Sequence, residues 1–211
     1  MHIPKQFKQE NDTELLELMR EYPFATLITH STSGMEANHL PISLSWQEDK
    51  LYLHAHIAKV NCLWQSVAKS SEVLVVFNGP NCYISPNHYP TKQQTGKAVP
   101  TWNYVAVHVK GSISFINDAA WIYQALENLT DEHEFGLDNP WAISDAPAPY
   151  IDKMLPAIVG IEIAVTSITG QWKLSQNQPL VNQVGVIDGL SASTKQNDKT
   201  VADMVQAQLQ A

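Results

Sequence analysis

Hydrophobic and polar positions change period several times along the 211-residue chain. Asn11-Asp12-Thr13 offers a helix N-cap, and Leu15, Leu16, Leu18 and Met19 follow at helical spacing until Pro23. Phe24–His30 reads as a strand, Ser31-Thr32-Ser33-Gly34 as a turn and Glu36–Ser45 as a second strand. Pro41 within that strand has no amide to donate, which predicts an edge or a bulge. A polar hairpin over Gln47–Lys50 leads to a third strand, Leu51–His56, in which Leu51, Leu53 and Ala55 alternate with Tyr52, His54 and His56. Val60–Ser70 predicts a short helix carrying Leu63, Trp64 and Val67 on one side. Glu72–Phe77 reads as a buried strand, Asn78-Gly79-Pro80 as a turn and Cys82–Ser85 as a further strand.

Ser85–Pro100 is polar and rich in turn residues; at about 16 residues it is long for a connection, which favours a binding role. Thr101–Ile116 predicts a long strand, with Val105, Val107 and Val109 on one face. Asp118 caps a helix running to about Thr130, and a loop-rich insertion spans Asp131–Tyr150. Ile158–Gly170 is the last long strand, followed by the polar segment Lys173–Gln178. Beyond Pro179 the chain reads as a tail, with a helical pattern near Val201–Leu209 and a polar stretch, SASTKQNDK, expected to be disordered or a linker. About six or seven strands, mostly hairpin-connected, with a few helices, predict an antiparallel barrel with peripheral helices. The expected organisation is one domain over residues 1–178 and a partly helical tail over 179–211.

Composition narrows the function classes. A net charge of −8 with scattered Lys and Arg opposes direct nucleic-acid binding, which draws on phosphate pairing. The start of the chain has no apolar targeting segment, and no apolar run approaches a membrane span, so a cytoplasmic protein without membrane partners is expected. Cys62 and Cys82 are the only cysteines, which fits reduced thiols.

The candidate chemistry gathers in three segments. His54 and His56 share a strand face; they read as ligand neighbours, as a metal or haem pair completed by a third His such as His39 or by a carboxylate, or as hydrogen-bonded barrel residues. Lys59 and Asn61 follow at the start of the expected helix, where a cation, a carboxamide and free amides suit a phosphate. The same two residues also fit a plain exposed helix start. Thr101, Trp102 and Asn103 combine a hydroxyl, a broad π face and a forked amide, a platform for a flat heteroaromatic ring or else part of a core or interface. Tyr83, His88 and Tyr89 either line that cleft or steady the loop. Lys173, Ser175 and Asn177 alternate with Gln176, so a second cation with small donors fits a phosphate or ribityl chain, or a polar strand exit. The chain has no GxSxG, P-loop or GxGxxG, and no catalytic residue is assigned.

MHIPKQF, HLPISL, HAHIAKVNCLW, FNGPNCYISPNHY, VPTWNYVAVHVKG and IVGIEIAVTSITGQWKLSQNQ occur in that order. Together they resemble the PaiB-type proteins, the FMN-binding negative transcriptional regulators related to pyridoxamine-phosphate-oxidase-like split barrels. The resemblance covers Met1 to Gln178. It implies a split β-barrel homodimer with FMN in a cleft at the interface. It carries Lys59 and Asn61 over as phosphate contacts, with His54 and His56 beside them. Thr101, Trp102 and Asn103 become flavin neighbours, and Lys173, Ser175 and Gln176 match the terminal motif. The pattern departs after Asn177: the family has Arg and then an acidic residue, whereas Gln178, Pro179 and Leu180 stand here. The implied activity is flavin-dependent electron transfer with a small-molecule donor or acceptor such as a nicotinamide nucleotide. The rivals are a redox sensor acting as a regulator and a metal or haem barrel built on His54 and His56.

Overall fold

The computed structural model describes residues 1–210. The strands are β1 (Lys8–Gln9), β2 (Phe24–Ser31), β3 (Gly34–Pro41), β4 (Ser43–Gln47), β5 (Lys50–Ala58), β6 (Glu72–Ile84), β7 (Thr101–Ile116) and β8 (Ile158–Lys173). The helices are α1 (Asp12–Glu21), α2 (Leu63–Ser66), α3 (Thr91–Thr95), α4 (Ala119–Glu134), α5 (Ala148–Met154), α6 (Leu180–Ser191) and α7 (Gln196–Gln208).

The strands form an eight-stranded sheet in the order β3-β2-β6-β7-β8-β5-β4, with β1 joined to β8. The ladders β1–β8, β2–β3, β2–β6, β4–β5 and β5–β8 are antiparallel. β3 and β4 stand at opposite ends of that order, yet only Ile42 separates them in the chain. β3 pairs with β2 from Phe24↔Pro41 to Ser31↔Gly34, and β4 pairs with β5 from Ser43↔His54 to Gln47↔Lys50. Pro41 has no N–H to continue a ladder, and the Ile42 amide turns to the Pro23 carbonyl at 2.9 Å. The extended segment therefore changes partner at Pro41–Ile42, where a single strand with an edge or bulge at Pro41 was expected over Glu36–Ser45. The ladder is not closed between β3 and β4, and the fold is an antiparallel split β-barrel with peripheral helices.

The chain divides into two compact units, and β6, β7 and β8 contribute residues to both. The barrel unit comprises Met19–Phe77 and His108–Ile168. Its core holds the alternate residues Leu27, Leu53, Val75, Phe77, Val109, Ile161 and Ile163, with Ile122 of α4. Each such side chain, once buried, stabilises by about 1.5–3 kcal/mol. The other unit comprises Met1–Leu18, Asn78–Val107 and the chain from Thr169. It buries Phe7, Leu15, Ile84, Val105, Trp172, Val186, Leu190, Val201 and Val205.

Several expectations change. The helix foreseen over Val60–Ser70 is a single turn, α2. β6 runs straight through Asn78-Gly79-Pro80, where a turn was expected. Gly79 answers a packing demand there, since a Cβ would strike the side chains of Val105 and Leu18. The loop Ser85–Pro100 contains a 3-10 turn at Pro86–His88 and α3. The insertion Asp131–Tyr150 carries short helical turns and the start of α5. The polar stretch expected to be disordered is the end of α6, a turn and the start of α7. Among the described residues, no helix is long and apolar enough to cross a membrane.

Candidate functional site

The residues singled out from the sequence fall into two groups, one in each unit. In the barrel unit, alternation along β5 carries His54 and His56 to one face, where α4 covers them with Trp121, Ala125 and Leu129 around a narrow gap. His54 is buried; its Nε2 lies 3.3 Å from Glu162 Oε2 and its ring meets Trp121 edge-on at 4.8 Å. Gln47 Nε2 donates to the same carboxylate oxygen at 3.1 Å. Burial pushes both imidazoles below their ordinary pKa, and the Glu162 carboxylate opposes the shift at His54. Gly160 of β8 admits Trp121 to this layer, since a Cβ there would occupy the indole's place.

The chain after β5 is pinned through its backbone. Lys59 N–H donates to the Ala157 carbonyl at 2.8 Å, and its own carbonyl accepts from Trp64 Nε1 at 3.0 Å. Its side chain is exposed, and among the described residues the ammonium has no ion-pair partner. Asn61 is different: Oδ1 accepts from the Leu63 amide at 2.9 Å, and Nδ2 donates to Asn38 Oδ1 at 2.9 Å. Its carboxamide thus holds the α2 turn and ties it to β3.

In the second unit, the start of β7 lies beside the end of β8. Lys173 Nζ donates to Thr101 Oγ1 at 2.6 Å and to the Trp102 carbonyl at 2.7 Å. Both partners are neutral oxygens, and burial lowers the ammonium's pKa. Asn103 is fully buried; Nδ2 donates to Ser175 Oγ at 2.9 Å while Oδ1 has no partner. Ser175 sits in the left-handed region at φ 67°, unusual for a residue with a Cβ. Gln176 bonds back on the chain, with Oε1 accepting from the Leu174 amide and Nε2 donating to the Trp172 carbonyl, both at 2.7 Å. Ser175 and Gln176 therefore build the tight turn that ends β8.

Trp102 is 49% exposed, and its indole N–H donates to Asn81 Oδ1 at 3.1 Å. Tyr83 meets it edge-to-face with centroids 6.1 Å apart. His88 lines the same cavity, whereas Tyr89 is buried. Asn81 was not foreseen; its place two residues before Tyr83 on a strand was the available signal.

These groups suit FMN unequally. In the barrel unit Lys59 supplies a cation that fits a phosphate; in the other unit Lys173 supplies a cation and Trp102 a flat, half-exposed ring that fits an isoalloxazine, and neither cation has a carboxylate partner among the described residues. The polar groups of His54, Asn61, Ser175 and Gln176 are engaged within the protein. Among the described residues, no three His, Cys, Asp or Glu side chains come together as a metal ion would require.

Comparison with known proteins agrees with the resemblance read from the motifs. The family model described as "Putative FMN-binding domain" matches residues 1–167. The chain is 32% identical over 209 residues to the protease synthase and sporulation protein PAI 2 of Bacillus subtilis, covering 99% of this chain and 98% of that one. It is 30% identical over 227 residues to an uncharacterized protein of Emericella nidulans, covering 90% of each. The fold is shared with the flavocytochrome Anf3 of Azotobacter vinelandii (TM-score 0.55, 12% identity, 81% of this chain and 72% of that one). It is shared also with the FAD and heme binding protein of Mycobacterium smegmatis (TM-score 0.53, 15% identity, 79% and 73%). The chain belongs to the FMN-binding domain family, with FMN as the cofactor that this membership assigns.

Proposed function

We propose that the protein is an FMN-dependent oxidoreductase, working as a homodimer and passing electrons between a nicotinamide nucleotide and a bound acceptor. The observation that carries this reading is the half-exposed indole of Trp102, held in fixed orientation next to a Lys173 ammonium that has no carboxylate partner among the described residues. FMN, when bound, supplies one- and two-electron chemistry. Lys59 would hold the phosphate as a charge-assisted donor. In the other unit, Lys173, braced by Thr101 and the Trp102 carbonyl, would set a positive charge beside Trp102, which would wall the ring. Phe24, Met35, Trp46 and Val60 are exposed apolar side chains of the barrel unit, which supports a second copy covering them.

Titration of the purified chain with FMN tests the reading. Saturation near one FMN per chain is expected, and Lys59→Ala should weaken binding by about 1–3 kcal/mol through loss of a charged hydrogen bond. Unchanged affinity in that variant removes the phosphate assignment. The resemblance of the ordered motifs to PaiB-type regulators favours a second reading, an FMN-linked regulator. With a net charge of −8, that regulator would act through a partner protein instead of direct DNA contact. Prompt NADH or NADPH oxidation by the FMN-loaded protein supports the enzyme; its absence leaves the regulator.

A further inference from the structure

The cavity beside Trp102 has a volume of about 510 Å³ and is closed on one side by the turn between α6 and α7. That size suits a small organic ligand. One wall is aromatic: Tyr83 and Trp102 are each about half exposed, at 51% and 49%. The bond from Trp102 to Asn81 and the edge-to-face contact with Tyr83 hold the indole in place before any ligand arrives.

The α6–α7 turn brings charged residues to the cavity. Ser193 Oγ donates to Asp198 Oδ2 at 2.6 Å and accepts from the Lys195 amide at 3.2 Å. Asp198 also lies in the first turn of α7, where the helix amides favour a carboxylate. Its carboxylate is therefore hydrogen-bonded within the protein. Lys195 also lines the cavity, is exposed, and has no ion-pair partner among the described residues. The charged group at the cavity without a partner among the described residues is the Lys195 ammonium. Cys82 of β6, which also lines the cavity, does not add covalent chemistry: burial, with Asp198 contributing, pushes its thiol up to about 12, leaving it protonated at neutral pH. The residues from α6 and α7 lie beyond the 1–167 span that defines the family match.

We propose that this cavity binds a planar aromatic molecule bearing a carboxylate or phosphate, its ring against Trp102 and Tyr83 and its anion on Lys195. Its role as the acceptor site of an oxidoreductase rests on the flavin reading; the binding itself does not.

The test is titration of the full chain with 2-naphthoate, followed by calorimetry and by the indole N–H resonance of Trp102. The neutral 2-naphthalenemethanol and the cationic 2-naphthylmethylammonium serve as comparators. Saturable naphthoate binding that moves the Trp102 resonance is expected, weakened about fivefold by Lys195→Gln, as a single exposed charge pair allows. The alcohol should bind about as weakly to wild type as naphthoate binds to the variant. Equal binding of acid and alcohol, tighter binding of the ammonium compound, or an unmoved Trp102 resonance overturns the proposal. Repeating the titration with 2-(phosphonooxy)naphthalene separates phosphate from carboxylate preference within it. FMN-saturated protein should still take naphthoate, on the part of the indole that faces the cavity and that the flavin leaves free, and Lys195→Gln should leave FMN affinity unchanged. Strict competition between naphthoate and FMN makes the cavity the flavin's own and overturns a separate site. If neither protein binds FMN, the flavin reading fails while the naphthoate result stands by itself.

Discussion

His54 and His56 illustrate how one strand face can look like a ligand pair and serve as a packed layer. Both imidazoles lie under α4, and both are held below the ordinary imidazole value of 6.5 by burial. Glu162 opposes the shift at His54, while burial alone acts at His56. Depressed folded-state values mean that the unfolded chain binds more protons once the pH drops below about 6.5. Stability from this layer is therefore intact above that value and is lost as the pH falls through the lowered folded values. The expected outcome is a melting temperature that falls between about pH 7.5 and pH 5.5, with a shallower fall in His56→Gln. Parallel profiles for the variant and the wild type would show that His56 does not contribute to the acid sensitivity.

At the scale of elements, α6 shows a docking device. Asn182, Gly185 and Gly189 recur at helical spacing, and all three face the segment around α3. Asn182 Oδ1 accepts from the Thr91 amide at 3.3 Å and from its hydroxyl at 3.0 Å. A Cβ on Gly185 would collide with the His88 carbonyl, and one on Gly189 with the His88 ring. In an exposed helix interior, Gly→Ala stabilises by about 0.8–1 kcal/mol. Here Gly185→Ala is expected to destabilise by about 1–3 kcal/mol, because backbone and helix must separate. Urea unfolding gives the sign directly, and a gain in stability would mean that α6 does not rest on His88. The same approach places His88 on the cavity wall shared with Trp102, so the variant should also reduce naphthoate affinity.

At the scale of the whole molecule, the exposed apolar residues of the barrel unit set the expectation. Met35 is 76% exposed on β3, and Trp46 on β4 is more than half exposed. β3 and β4 are the two ends of the hydrogen-bonded order, where backbone groups also remain open to another chain. Light scattering at micromolar concentration should give a mass of two chains. Met35→Lys with Trp46→Lys should shift it toward one chain and weaken FMN binding, while the far-ultraviolet spectrum stays unchanged. A wild-type monomer that binds FMN tightly would contradict the dimeric cleft.

The sequence by itself determined whatever depends on local period and on contiguous motifs. Alternation marked β2, β5, β7 and β8, because side-chain direction along a strand follows directly from residue spacing. The Asp118 cap marked the start of α4, and its Oδ1 does accept from the Trp121 amide at 2.8 Å. The ordered motifs gave the family, and with it the barrel and FMN. Tertiary structure decided what distant residues require of one another. Gly79 reads as a turn until Val105 and Leu18 are seen to need its empty side. Asn61 reads as a phosphate donor, and only the fold shows that it also donates to Asn38, 23 residues away. Pro41 reads as a flaw in one strand until its missing donor marks the change of partner between β2 and β5. The partly helical tail reads as an appendage until Val186, Leu190, Val201 and Val205 are brought together, since their burial depends on a partner helix that no local window contains. Composition sees the charges of Lys195 and Asp198 only as scattered; their common cavity with Trp102 exists because the α6–α7 turn is folded against the strands.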